Sequence, residues 1–219
     1  MKMIELKELG VTFLGGGELN IDDLIIAKKL APKLIAADGA ADLAIKNGFV
    51  PTAVIGDMDS ISKDFFKQHL GILSLHEKEQ ETTDFDKCLR NVVAKFGIGV
   101  GFLGARIDHE LAAFNSILTH SDYPVFLIGT QDVIFSCPSY IELNLPIGTR
   151  VSLFPLREVC VSAKGLVWNL KKELLSPLER IGTSNLSNLS RVSIETDNNG
   201  LLLILPKSFL QVLINDLVG

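Results

Sequence analysis

The chain has 219 residues, 47% of them hydrophobic and 21% charged, with a formal net charge of −5. That is enough apolar chain for one large domain or two small ones, and it excludes a disordered protein. Lysines and arginines are scattered singly, the apolar runs fall short of the roughly 20 residues of a membrane helix, and the three cysteines form no CxxC pair; nucleic-acid binding, membrane spanning, a disulfide framework and a cysteine zinc site are therefore all excluded.

The elements alternate from the start. "VTFLGGG" reads as a strand that ends in glycines, and "NIDDLIIAKKLA" as a helix with Asn20 as its N-cap. "KLIAADGAA" is a second strand and turn, and "ADLAIKNG" a short helix closed by Gly48. "TAVIGDMDS" is a third strand and turn, "KDFFKQHL" a helix, and "GILSLHE" another apolar run. "TTDFDKCLRNVVAKFG" predicts an amphipathic helix with Phe85, Leu89, Val92, Val93 and Phe96 on one face. "GVGFLGARIDHE" then reads as strand and loop, "LAAFNSILTHS" as a helix and "YPVFLIG" as a strand. Strands alternating with helices predict βαβ units and a mostly parallel, Rossmann-like three-layer sheet over residues 1–130.

The texture changes after Gly129. "DVIFSC", "SYIELNL", "TRVSLFPL", "EVCVSAKGLVWNL" and "RVSIETDNNGLLLIL" are short alternating strands with turn signals at "LPIG" and "DNNG". They predict an all-β sandwich over residues 131–219, closed by a C-terminal helix in "SFLQVLINDLV". The N-terminus carries no apolar core or small-residue cleavage site of a leader, so a cytoplasmic protein is expected.

The chemistry gathers where parallel strands end, the edge at which open sheets bind ligands. Asp38, Asp57, Asp59, Arg106 and Asp108 all fall there. Asp57 and Asp59 in "GDMDS" repel one another, and a divalent cation removes that repulsion; an ordinary aspartate turn is the plainer reading. In "EQETTDFDK", Thr82 or Thr83 caps the next helix, and Asp84 and Asp86 in its first turn suit the helix dipole. Arg106 offers a planar fork for phosphate. His109 is either a base or a supporting group. The glycines of "FLGGGE" would let amides approach an anion, but no GxxxxGK[ST] is present, which excludes a P-loop.

Taken together, "ADGAAD", "GDMDS", "QETTDFDK", "GARIDH", "GLVWNL" and "GTSN" resemble, in that order, the thiamine pyrophosphokinases, over roughly Leu14 to Leu205. The resemblance implies an α/β domain, a β-sandwich and a homodimer with active sites between subunits. It also implies magnesium-dependent transfer of pyrophosphate from ATP to thiamine, giving thiamine diphosphate and AMP. Residue by residue, Asp57, Asp59 and Asp84 match metal ligands. Gln80, Thr83 and Asp84 match a Q-x-x-T-D stretch, Arg106 and Asp108 match the R-x-D of the nucleotide site, and Asp38 joins the cofactor-binding residues. Trp168 and Ser184 match residues that line the thiamine pocket from the partner subunit. Asp59 or Asp108 would take the hydroxyl proton. The family usually has an asparagine where this chain has Ala113, and the nearest one, Asn115, falls on another helix face. The alternatives are a haloacid-dehalogenase-like phosphatase with a nucleophilic aspartate, and a non-catalytic nucleotide or thiamine sensor.

Overall fold

The structure is a computed structural model that describes residues 3–120 and 122–219. The chain divides into two compact units, Met1–Ile128 and Gly129–Gly219. No described helix is long and apolar enough to cross a membrane.

The first unit is built on β1 (Ile4–Leu14), β2 (Lys33–Ala37), β3 (Ala53–Gly56), β4 (Leu73–His76), β5 (Val92–Val100) and β6 (Val125–Ile128). Every pairing among them is parallel, in the order β6-β5-β1-β2-β3-β4. The chain steps outward from β1 to β4, then returns to the far side of β1 for β5 and β6. Gly10–Leu14, Leu34–Ala37, all of β3 and all of β6 are buried without alternation, as expected of parallel strands covered on both faces. The helices α1 (Ile21–Leu30), α2 (Ala40–Lys46), α3 (Phe65–Gln68), α4 (Asp84–Asn91) and α5 (Ile107–Thr119) connect them. Asn20 caps α1, its side chain accepting from the Asp22 amide at 2.9 Å. α4 packs over β2, β3 and β5 and beside α5.

The long amphipathic helix predicted from Thr82 to Gly97 is cut short. Phe85 and Leu89 lie on α4 as expected, but Val92, Val93 and Phe96 belong to β5. The reason lies in the sequence: Val92, Ala94, Phe96, Ile98 and Val100 alternate along an extended chain and are all buried, and adjacent β-branched valines with glycines at 97 and 99 oppose a helix. Helix and strand meet with no loop between Asn91 and Val92.

The second unit holds β7 (Asp132–Ser136), β8 (Tyr140–Asn144), β9 (Arg150–Pro155), β10 (Val159–Lys164), β11 (Leu170–Leu175), β12 (Gly182–Leu186), β13 (Arg191–Thr196) and β14 (Leu201–Pro206). They form two antiparallel rows, β12-β9-β14-β7 and β11-β10-β13-β8, the β-sandwich the alternation predicts. Val133, Phe135, Val151, Leu153, Leu201 and Leu203 are buried from the first row, and Ile141, Leu143, Val161 and Ile194 from the second. A C-terminal α6 (Leu210–Val218) buries Leu210 and Leu213. β11 and β12 are the strands least visible in sequence, because "LKKELL" and "GTSNL" lack the β-branched alternation of the others.

Candidate metal and nucleotide site

The parallel strands of the first unit deliver their carboxyl ends to one edge, and the acidic residues collect there. Asp38 follows β2, and Asp57 and Asp59 follow β3. One carboxylate oxygen from each of the three lies within 4.8 Å of the others. Two full charges about 4 Å apart repel by about 1 kcal/mol in water and about 4 kcal/mol at the effective dielectric near a protein surface. Asp38 is buried, Asp57 half-buried and Asp59 exposed, so the repulsion rises toward the Asp38 end.

The backbone is shaped to hold this arrangement. Asp38 and Met58 sit at φ 45 and 66, in the left-handed region that non-glycine residues seldom enter. A Cβ at Gly56 would stand 2.8 Å from the Cβ of Asp38, so the glycine that breaks "VIGDMDS" is where the β2 and β3 ends approach most closely. Asp57 Oδ1 accepts from the Asp59 amide at 3.2 Å, Asp38 Oδ2 accepts from the Ser60 amide at 3.3 Å, and Asp42 Oδ2, in the first turn of α2, accepts from the Ser62 amide at 2.9 Å. These bonds pin the loop after β3 to the loop and helix after β2. Asp42 is a contributor that sequence reasoning missed; only its i+20 partner gives it away.

Gln80 donates from Nε2 to Asp57 Oδ2 at 2.5 Å. That bond, with the Asp59 amide, holds the Asp57 carboxyl below its ordinary value. Gln80 is held in turn by its loop: Glu79 accepts from the Thr82 hydroxyl, from the amides of Glu81 and Thr82, and from Arg90. Thr83 is the N-cap of α4 in a full capping box, accepting from the Asp86 amide while Asp86 accepts from the Thr83 amide and hydroxyl. Its hydroxyl is therefore committed to the helix end.

Asp84 opens α4. Burial pushes its carboxyl above the usual carboxylate value, and the charges of Asp38 and Asp57 add to that, against the pull of Lys87. Lys87 Nζ donates to Asp84 Oδ1 at 2.9 Å. Burial alone would lower the Lys87 ammonium, but its bond to Asp84 and the charges of Asp84, Asp57 and Glu79 carry it above the ordinary lysine value. Nothing in the sequence marks Lys87 beyond its i+3 spacing from Asp84.

Do these residues fit a cation? The second carboxylate oxygen of Asp38 is buried and accepts no hydrogen bond. A buried carboxylate with one unpaired oxygen, grouped with two further carboxylates, is the environment a hard divalent cation satisfies, and magnesium takes such oxygens alongside phosphate and water. The residues fit.

Arg106 and Asp108 stand apart from this cluster. Arg106 precedes α5 and turns its fork onto Asp108, Nε to Oδ1 at 3.1 Å and Nη2 to Oδ2 at 2.6 Å, with both side chains largely exposed. Asp108 is held below the usual carboxylate value by that guanidinium. No hydrogen bond or ion pair among the described residues joins either to Asp57 or Asp59. His109 is exposed beside them. Ala113 is buried on the core side of α5 and Asn115 is exposed.

The glycine run after β1 serves packing. The amides of Gly15 and Gly17 donate to the carbonyls of Val100 and Gly101 at 2.8 Å, and a Cβ on either glycine would meet the Gly101 carbonyl within 2.7 Å. Two of the three amides expected to approach an anion are thereby committed to the backbone after β5.

In the second unit, Trp168 is 60% exposed. Its neighbour Val167 is 49% exposed as well, because the strand alternation stops before it, between β10 and β11. Buried Asn185 brackets the Trp168 backbone, accepting from its amide at 3.1 Å and donating to its carbonyl at 2.8 Å. Ser184, next to it, is exposed at φ 59, with its amide donating to Ser152 Oγ at 3.0 Å.

Residues 27–127 match the family described as thiamin pyrophosphokinase, catalytic domain, and residues 139–201 match thiamin pyrophosphokinase, vitamin B1 binding domain. Thiamine pyrophosphokinase 2 of Oryza sativa subsp. japonica is 31% identical over 169 residues, covering 68% of this chain and 63% of that protein. Thiamine pyrophosphokinase 1 of Arabidopsis thaliana is 29% identical over 177 residues, covering 72% and 66%. The chain thus aligns with slightly less than two thirds of each plant relative's length. Among solved structures, thiamin pyrophosphokinase from Candida albicans superposes with a TM-score of 0.76 at 16% identity, covering 93% of both chains. The yeast thiamin pyrophosphokinase gives 0.74 at 18% identity, covering 95% of this chain and 89% of that one. At these identities the structural likeness concerns the fold.

Proposed function

Since the chain belongs to the thiamine pyrophosphokinase family, with both of the family's domain types matched in order, we propose that it transfers the pyrophosphoryl group of ATP to the hydroxyl of thiamine, releasing thiamine diphosphate and AMP. The observation that carries this reading is the buried carboxylate of Asp38, one of its oxygens unpaired, grouped with Asp57 and Asp59 at the ends of β2 and β3. No observation favours the phosphatase or the sensor.

Asp57, Asp59 and Asp84, with Asp38 beneath them, would hold magnesium. The bound cation would neutralise charge on the ATP phosphates, the main requirement of a phosphoryl-type transfer. Gln80 fixes the rotamer of Asp57 and so keeps the acidic pair aligned. Arg106 has a fork that suits phosphate as well as carboxylate, so an arriving ATP would compete with Asp108 for it. Asp108, once released, or Asp59 takes the proton of the thiamine hydroxyl as its oxygen bonds to the β-phosphorus. The bond from that phosphorus to the α-phosphate oxygen breaks, and AMP leaves. Thr83 contributes through the start of α4, which it caps, and so through Asp84.

Thiamine would meet Trp168 and Ser184 of a partner subunit, in a homodimer that works in the cytoplasm. The exposed indole supports this, since a thiazolium cation and a flat pyrimidine both suit an aromatic face. The test is product analysis with ATP, magnesium and thiamine. AMP and thiamine diphosphate in equal amounts are expected. ADP with thiamine monophosphate, or no thiamine-dependent turnover, refutes the reading.

A further inference from the structure

Lys87 has a place that the proposed reaction leaves unexplained. Among the described residues it is the only lysine or arginine that is buried. It lies on the core side of α4 beside Phe85, Cys88 and Leu89, all buried. A cation there is costly unless paired, and its direct partner is Asp84, at 2.9 Å. Asp84 itself lies within electrostatic reach of Asp38 and Asp57. A protein cation is thus fastened to the carboxylate that neighbours the acidic cluster.

Two consequences follow from charge alone. With Oδ1 of Asp84 already accepting from Lys87, a metal at that carboxylate either takes Oδ2 or shares Oδ1 with the ammonium. A fixed ammonium next to the cluster also opposes any bare cation that enters, while it welcomes the phosphate oxygens that accompany a nucleotide-bound one. We propose that Lys87 is a positioning residue that holds Asp84 and offsets the cluster's charge, so that the site takes a bare divalent cation weakly and a cation–nucleotide complex well. This rests on reading the cluster as a metal site, and it assigns Lys87 the preference between the two forms of the metal.

Manganese tests it, because free Mn²⁺ is counted directly by electron paramagnetic resonance without any turnover. The full chain, Lys87→Met and Lys87→Arg would each be titrated with Mn²⁺ alone and with Mn²⁺ plus a non-hydrolysable ATP analogue. Lys87→Met keeps most of the length of the side chain and removes its charge. It should bind Mn²⁺ alone about tenfold more tightly, the direction Coulomb's law requires, and should lose most of the gain in affinity that the nucleotide confers. Lys87→Arg should behave as wild type. Lys87→Gln should shift in the same direction as Lys87→Met and substitutes for it if that variant does not fold. Equal or weaker Mn²⁺ binding in the neutral variants, with wild type still binding, overturns the inference and leaves the metal site standing. Absence of Mn²⁺ binding by every protein, with or without the nucleotide, overturns both.

Discussion

At the scale of single residues, the site is a set of carboxylates whose surroundings differ. Asp57 is kept ionised by Gln80 and an amide, whereas Asp84 is pushed the other way by burial. Asp57→Asn keeps the shape and the Gln80 neighbour but removes a charge aimed at the reacting phosphates. Turnover should fall by about 10²–10³-fold, the scale of a lost electrostatic contact of about 3–4 kcal/mol, with an unchanged circular dichroism spectrum. Arg106→Lys retains charge and loses the fork, so kcat/KM for ATP should drop clearly, while His109→Ala, which changes an exposed group, should have a smaller effect; steady-state kinetics of the two variants separates them. Glu79 supplies a pH test. The Thr82 hydroxyl and then Arg90 hold its carboxyl down to about 2, against 4.5 ordinarily. A depressed carboxylate stabilises fully above its unfolded value and loses that contribution as pH falls through its folded one. A carboxyl titration followed by NMR should therefore give Glu79 a midpoint near 2, and the Glu81 and Thr82 amides should stay protected from exchange at pH 4. A midpoint near 4.5 would mean the loop that carries Gln80 is not clamped in this way.

At the scale of elements, the readable and the unreadable parts separate by physical cause. Asn20 announced α1 because a cap is a local interaction, and β2 and β3 announced themselves as apolar runs broken at glycine. β5 was misread because its buried positions satisfy a helical and an extended spacing over the same few residues, and only the central place between β1 and β6 decides. Of the site, the acidic residues were legible as a pattern of types. Their convergence was not: Asp38 reaches Asp57 through the pairing of β2 with β3, and Lys87 breaks the expectation that lysine stays in water. The loop before β11 shows the same limit, since the adjacent Val167 and Trp168 are both exposed and no alternation marks either. What holds the backbone that carries the indole is Asn185, from β12. Asn185→Ala removes both hydrogen bonds to the Trp168 backbone and leaves the amide and carbonyl unmatched. Thiamine KM should rise several-fold with little change in the KM for ATP, and the tryptophan fluorescence should become more easily quenched by acrylamide. Unaltered quenching would mean that β12 does not govern the indole.

At the scale of the whole molecule, each unit carries half of the proposed chemistry, the acidic cluster in the first and Trp168 in the second. If active sites are shared across a homodimer, Asp57→Asn and Trp168→Ala damage opposite sides of the same site. Mixing the two variants, with subunit exchange, should restore activity toward a quarter of wild type, since about half the dimers are mixed and each mixed dimer holds one intact site of two. Activity no greater than the sum of the separate variants, in a mixture shown by native mass spectrometry to contain the mixed dimer, would locate both residues in one subunit's own site. The direct join of α4 to β5 has its own bearing on how such a chain can change length over evolutionary time. One extra residue between Asn91 and Val92 must either swing Asp84 and Lys87 about 100° around the helix or turn Phe96 and Ile98 out of the core, since a helix repeats every 3.6 residues and a strand every two. Insertions and deletions are thus tolerable in the turns of the second unit and barred from this stretch, whose residue count acts as a fixed gauge between cluster and core.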